Sequence, residues 1–203
     1  VGSTSVILTI TGTGSTAGAL TWTGDGTANE WNITANNWTP TTYSDGARVI
    51  FDDTGSATPA ISISAAPVAP ESITVNTSNK TYTLTGSGIS GACSLLKTGS
   101  SLLTLNANNN YTGPTTINAG SLQLNGALSN STLTVAIGAT LTQAPTGHID
   151  GSMVAITNMG TMTLNGTNTY GGVTVVGVST GMPSITLYAN SPYALGSTEQ
   201  GTI

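Results

Sequence analysis

The chain has 203 residues, with 3 Lys+Arg against 8 Asp+Glu, and charged residues make up 5% of it. Three cations cannot neutralise a run of phosphates or dock on anionic lipid, which excludes nucleic-acid binding and a basic membrane patch, and so few ionisable groups leave little acid–base chemistry for catalysis. Hydrophobic residues make up 37%, enough for a folded core, and Thr, Ser, Asn and Gly take the surface role of Lys and Glu. These are strand and turn residues, and no apolar stretch has helical period with caps, so the expected fold is all-β.

In chain order, Val6, Ile7, Leu8, Thr9 and Ile10 form an apolar strand, followed by a Gly/Ser/Thr linker from Gly12 to Gly18. Such a strand pairs within its own fold, or adds to the open edge of a neighbouring copy as a donor strand. The chain begins at Val1, which fits a processed N-terminus. Next come all three tryptophans, Trp22, Trp31 and Trp38, with Tyr43 close behind. They read as a packed cap, with an exposed face for stacking on surface glycans as the alternative. Asp25 and Glu30 are the only carboxylates near aromatic rings, and they read as turn residues rather than a glycosidase pair. Arg48 to Phe51 reads as a strand entering the acidic turn Asp52-Asp53. With Asp45, that turn is a weak Ca²⁺ candidate and a better solvated turn, because the ligand spacing of a calcium loop is missing.

From Ile61 onward short strands alternate at period two: Ile61-Ser62-Ile63, Ser72-Ile73-Thr74-Val75 and Tyr82-Thr83-Leu84. The single cysteine, Cys93, allows no intrachain disulfide and reads as a small buried hydrophobe. The uncharged stretch from Thr98 to Gly147 is broken throughout by Asn, Thr, Gly and Pro, so it is no membrane-spanning helix. His148, the only histidine, reads as lying in a turn, with no nucleophile elbow or paired ligand to serve. No cofactor or metal is expected. Asn-x-Ser/Thr sequons fall at Asn32, Asn37, Asn76, Asn79, Asn110, Asn130 and Asn165, most of them by composition alone.

The most informative feature is an internal repeat. Leu102 to Gly113 and Thr161 to Gly172 share an alternating strand ending in Leu105 or Leu164, an Asn-rich turn, and a Tyr-x-Gly step at Tyr111-Thr112-Gly113 and Tyr170-Gly171-Gly172. Each runs on into a β-branched strand, with Ile117 in the first copy, and then a second alternating strand, with Leu122 in the first copy. The interval from Leu122 to Ile185 is longer than that from Tyr111 to Tyr170, which places a short insertion near Gly181-Met182-Pro183. One copy cannot bury its apolar side alone, but stacked copies can, which is the logic of a parallel β-solenoid. Asn at successive turns can form ladders between rungs, and like charges at rung spacing would repel, which suits the low charge.

The run Leu96-Lys97-Thr98-Gly99 through Asn110-Tyr111-Thr112-Gly113-Pro114-Thr115-Thr116-Ile117 to Ser121-Leu122-Gln123-Leu124 resembles the autotransporter-associated beta strand repeat of bacterial surface proteins. Pro114 departs from the second Gly of that pattern. The copy from Gly160 matches more loosely, Tyr193-Ala194-Leu195-Gly196-Ser197 looks like the start of another turn, and Trp31 to Asp53 is similar to the region that often precedes such repeats. The resemblance implies export to the extracellular space or cell surface, a β-helical stalk and no catalytic residues.

The expected organisation is a strand and linker over residues 1–18, a β-rich cap over 19–94, and solenoid repeats over 95–203, divided at about 152. The expected function is a non-enzymatic subunit of a surface filament or layer. Its partners would be copies of itself, joined head to tail through solenoid ends or the donor strand. An adhesin or glycan-binding stalk is the first alternative, and a polysaccharide-degrading β-helix enzyme the second. The end at Ile203, just after a new turn begins, suits an open solenoid end and equally suits a fragment of a longer chain.

Overall fold

A computed structural model describes residues 18–58, 60–177 and 184–196. The donor-strand candidate Val6, Ile7, Leu8, Thr9 and Ile10 and the insertion near Gly181-Met182-Pro183 lie outside these residues. The described chain is all strand, turn and loop. It begins with β1 (Leu20–Trp22), β2 (Glu30–Trp31), β3 (Trp38–Thr39), β4 (Arg48–Phe51), β5 (Ile61–Ile63), β6 (Ser72–Asn76) and β7 (Tyr82–Gly86). The middle holds β8 (Ser94–Thr98), β9 (Leu102–Leu105), β10 (Thr115–Ile117), β11 (Ser121–Leu124), β12 (Ala127–Ser129) and β13 (Leu133–Val135). The last strands are β14 (Thr140–Gln143), β15 (His148–Asp150), β16 (Ile156–Asn158), β17 (Thr161–Leu164), β18 (Thr174–Val176) and β19 (Thr186–Ala189).

These strands stack into a three-sided parallel β-solenoid. The first sheet runs β18-β16-β13-β10-β8-β6-β4-β1-β3 and the second β19-β17-β14-β11-β9-β7-β5-β2. The third side is thinner: β12 pairs with β15, and bridges join Val68 to Ile89 and Asn109 to Leu128. Among the described residues every pairing is parallel except β1 with β3. In the first sheet the register advances by 22, 20 and 18 residues in turn, Ile73↔Leu95, Leu95↔Thr115, Thr115↔Leu133. The second sheet keeps the same pace, with Leu103↔Leu122, Leu122↔Leu141 and Leu141↔Met162. Each such step is one turn of the solenoid, a third of the repeat legible in the sequence. The steps Thr115↔Leu133, Leu133↔Ile156 and Ile156↔Thr174 together carry the chain from Thr115 to Thr174, the same interval that separates Tyr111 from Tyr170. The two tyrosine turns thus lie three rungs apart rather than in adjacent stacked copies.

Period-two alternation puts every second side chain inside. In the first sheet Val49, Ile73, Leu95, Thr115, Leu133, Ile156 and Thr174 form one buried column, and in the second Tyr82, Leu103, Leu122, Leu141 and Met162 form another. The buried residues form a single hydrophobic core from Leu20 to Ala194. Each buried aliphatic or aromatic side chain in such a column stabilises by roughly 1.5–3 kcal/mol relative to exposure. The stack runs unbroken across the expected boundary at residue 94: β8 pairs with β6 at every position from Ser94 to Thr98. His148 opens a strand rather than sitting in a turn. Ile149 points inward there and is fully buried, and pairing with β12 draws the segment into the third side.

Candidate functional site

The residues that set this chain apart from a plain stack lie in its turns. In the turn before β10, Tyr111 is fully buried, and its hydroxyl meets Thr115 Oγ1 at 2.6 Å. Thr115 Oγ1 meets Ser131 Oγ of the next rung at 2.8 Å, and that hydroxyl donates to the Gly113 carbonyl at 2.7 Å. Before β18 the same pair recurs, Tyr170 Oη to Thr174 Oγ1 at 2.7 Å. Burial pushes both phenols above their ordinary pKa, so each stays a neutral donor–acceptor that ties the turn to the strand after it. Two residues before each tyrosine an asparagine turns inward. Asn109 accepts from the Ile89 N–H at 3.0 Å and donates to the Ala107 and Ala127 carbonyls. Asn168 accepts from the Ile149 N–H at 2.7 Å and donates to the Ala194 carbonyl at 2.7 Å, so it spans three rungs.

Two residues after each tyrosine the chain presses on the rung before it. A Cβ on Gly113 would overlap the Cys93 carbonyl, and one on Gly172 would overlap that of Val154. The motif is therefore Asn-x-Tyr-x-Gly-x-Thr at 109–115 and 168–174. Of the repeat residues picked from sequence, Leu105, Tyr111, Ile117, Leu122, Leu164 and Tyr170 lie in the core, and Gly113 and Gly172 make these close approaches. Asn109, Thr115, Asn168 and Thr174 were not picked, although their fixed offsets from the tyrosines were the available signal. Tyr193 breaks the pattern: it is exposed, Ala194 takes the buried place beside it, and Gly196 packs on Tyr170.

Lys97 is the buried cation of the core. Its ammonium donates to the carbonyls of Thr98 at 2.7 Å, Gly99 at 2.8 Å and Ala119 at 3.4 Å, and desolvation lowers its pKa. Two strands on in the same sheet after β10, Asn158 stands in the same inward column. Its side chain donates to the Thr186 carbonyl at 2.9 Å and accepts from the Gly160 N–H at 3.1 Å. An amide thus closes a turn that an ammonium closes earlier.

At the N-terminal end of the stack the aromatic side chains pack on one another. Trp22 meets Trp38 edge-on at 5.0 Å, Trp31 meets Trp38 at 5.1 Å and Tyr43 at 5.5 Å, and Phe51 packs among them. Trp22, Trp31, Trp38 and Tyr43 are all buried, none more than 5% exposed. The expected glycan-stacking alternative is corrected here: no ring face is open to a sugar, because in a chain this poor in aromatics edge-to-face packing at the end of the core claims all four.

The acidic side chains serve turns. Asp53 accepts backbone N–H groups of Ser78, Asn79 and Lys80 from the next rung, which lower its pKa. Asp52 accepts from Thr54, Asp45 from Tyr43 and the Ala69 N–H, and Asp25 from Thr27, Ala28 and Asn29. Among the described residues no three His, Cys, Asp or Glu side chains converge on a metal-sized space. Cys93 is a free, fully buried thiol whose pKa burial pushes up to about 12. His148 is exposed, with Nδ1 2.9 Å from the Thr167 carbonyl. No helix is long and apolar enough to cross a membrane among the described residues.

The passenger-associated-transport-repeat model matches residues 95–124 and 157–177, which hold the Lys97 and Asn158 positions and both Tyr-x-Gly-x-Thr turns or their strands. These two segments are similar to the passenger-associated-transport repeat. The matched segments together span about a quarter of the chain. The first matched segment spans β8 to β11, about one and a half rungs, and the second runs from β16 through β18, a little more than one rung. No curated protein and no solved structure matches the chain.

Proposed function

We propose that this chain is a non-catalytic, exported structural stalk of the cell surface, and that it assembles head to tail by parallel strand addition. The observation that supports the reading is the in-register parallel pairing that runs along both sheets. Among the described residues, β18 and β19 are the last strands of their sheets and pair on one side each. Their inward columns arrive in register with the rungs behind them. An edge of that kind accepts another strand, and head-to-tail contacts that do not close generate filaments. The passenger repeat supports export and surface location. The buried rings of Trp22, Trp31 and Trp38 take away the feature on which a glycan-binding stalk would rest.

Negative-stain electron microscopy and concentration-dependent sedimentation of the purified chain test the reading. Fibres of uniform width are expected, and their number should fall in Tyr188→Lys, which puts a guarding charge on the exposed part of β19. Dispersed rods at every concentration would reduce the proposal to a monomeric stalk.

A further inference from the structure

The chain's two Asn-Gly pairs, Asn125-Gly126 and Asn165-Gly166, each follow a strand of the second sheet, β11 and β17. An Asn-Gly pair is prone to lose its side-chain amide, because glycine has no Cβ to shield its backbone nitrogen or restrict the turn. The glycine nitrogen bonds to the Asn Cγ and the bond from Cγ to the amide nitrogen breaks. The glycine amide proton passes to the leaving group, which departs as ammonia, and a succinimide ring remains. Water then adds to either ring carbonyl, giving Asp or its β-linked isomer. The first step needs a glycine N–H released from any acceptor and an Asn side chain able to swing over it.

Both glycine N–H groups are held, but by different kinds of acceptor. Gly126 donates to the main-chain carbonyl of Leu105 at 3.1 Å. Gly166 donates to a side chain, Gln143 Oε1, at 3.2 Å in a buried bond. Gln143 is itself fully buried. Its Nε2 donates to the Gly147 carbonyl at 2.9 Å and to Asn168 Oδ1, and Asn168 Nδ2 donates to its Oε1 at 3.3 Å. Asn165 is pinned as well: its Nδ2 donates to the Gln143 carbonyl at 2.8 Å, and its Oδ1 accepts from Asn190. In the inward column Leu105, Leu124, Gln143, Leu164, only Gln143 is polar. A leucine there would satisfy the packing, so the amide has a use other than filling the core.

We propose that Asn165-Gly166 is a deamidation site that Gln143 keeps closed, and that the stack ages from this turn when a local opening breaks the hold. Opening is easier here than at Asn125. β17 is covered on one side by β19, whose last two residues, Tyr188 and Ala189, are exposed, whereas β11 lies between β9 and β14, both with regularly buried inward positions. Segments with little buried cover open at the lowest free energy. The products do not fit back. In the Asp form an oxygen replaces the amide nitrogen that faces the Gln143 carbonyl, so two acceptors oppose each other. The β-linked form adds a methylene to the main chain beside Gly166, where even a Cβ would overlap the Gly147 carbonyl.

Peptide mass spectrometry of the full chain, aged in mildly alkaline buffer, tests this by following the amide-to-acid mass change at each site. In the folded wild type Asn165 should convert more slowly than in the urea-unfolded chain, and faster than Asn125. Gln143→Leu, which suits the leucine column, should speed conversion at Asn165 by about tenfold, the effect of one lost buried hydrogen bond, and leave Asn125 unchanged. Circular dichroism melting checks that the variant folds, and Gln143→Met serves where Gln143→Leu does not. An unchanged rate at Asn165 in the folded variant overturns the proposal, and so does equal acceleration at both sites, which marks general loosening rather than a specific hold. Conversion of Asn165 as fast in the folded wild type as in urea, or slower there than that of Asn125, overturns it too.

Discussion

At position 113 the backbone of one rung runs against the Cys93 carbonyl of the rung before it, with no space for a Cβ. Gly113→Ala must displace main chain rather than a side-chain tip, so it is expected to destabilise by about 1–3 kcal/mol, read as a fall in the midpoint of thermal or urea unfolding. The alternating apolar residues and the Tyr-x-Gly steps were legible in the sequence. The need for Gly was not, because it arises from a neighbour a full rung earlier in the chain. Asn109 and Thr115 were hidden for the same kind of reason: in a chain full of Asn and Thr, nothing in composition separates an inward amide from an outward one. Titration at this scale rests on the aspartates. Backbone donors from Asn79, Ser78 and Lys80 hold Asp53 below its ordinary 3.8, and donors from Asn29, Thr27 and Ala28 hold Asp25 down to about 2. Their folded-state pKa values are depressed, so their contribution is present above the ordinary 3.8 and is lost as pH falls through the lowered values, about 2 for Asp25. Asp53→Asn should flatten the acid branch of the stability–pH curve, and an unchanged branch would show that these hydrogen bonds do not matter.

Between elements, the ladders expected at successive turns are present but interrupted. At the end of each second-sheet strand, Asn125 Nδ2 donates to Asn106 Oδ1 at 2.7 Å and Asn190 Nδ2 to Asn165 Oδ1 at 2.8 Å. Ala144 occupies the same column: its N–H reaches the Leu124 carbonyl as that of Asn125 reaches Leu105. Ala144→Asn should join the two halves of the ladder and stabilise by roughly 0.5–1 kcal/mol, seen as a raised unfolding midpoint. β12 and β15 were harder to read than the ladder. Each is a short strand with one inward apolar side chain, Leu128 or Ile149, too brief for period two to show. Only pairing with each other makes them a side of the solenoid.

For the whole molecule, stability rests on parallel ladders and a single long core, with each rung dependent on its neighbours. The ion pair between Arg48 and Glu71 is long, at 3.8 Å, and both side chains are about half exposed or more. Such pairs contribute about 0–1 kcal/mol and are screened by salt. Melting should therefore change little between low and molar NaCl, and a large shift would point to a charge network beyond the one ion pair found among the described residues.

From residue types and spacing alone came the all-β class, the parallel stacking, the repeat, and the burial of Cys93, because alternation and turn residues act over a few neighbours. The tertiary structure decided the rung length, the three rungs between the tyrosine turns, the burial of the four aromatic rings and the hold of Gln143 on the Gly166 N–H. Each of these depends on which strand lies beside which, and a register between strands separated by a whole rung of chain is set by how all the inward side chains fill one core together.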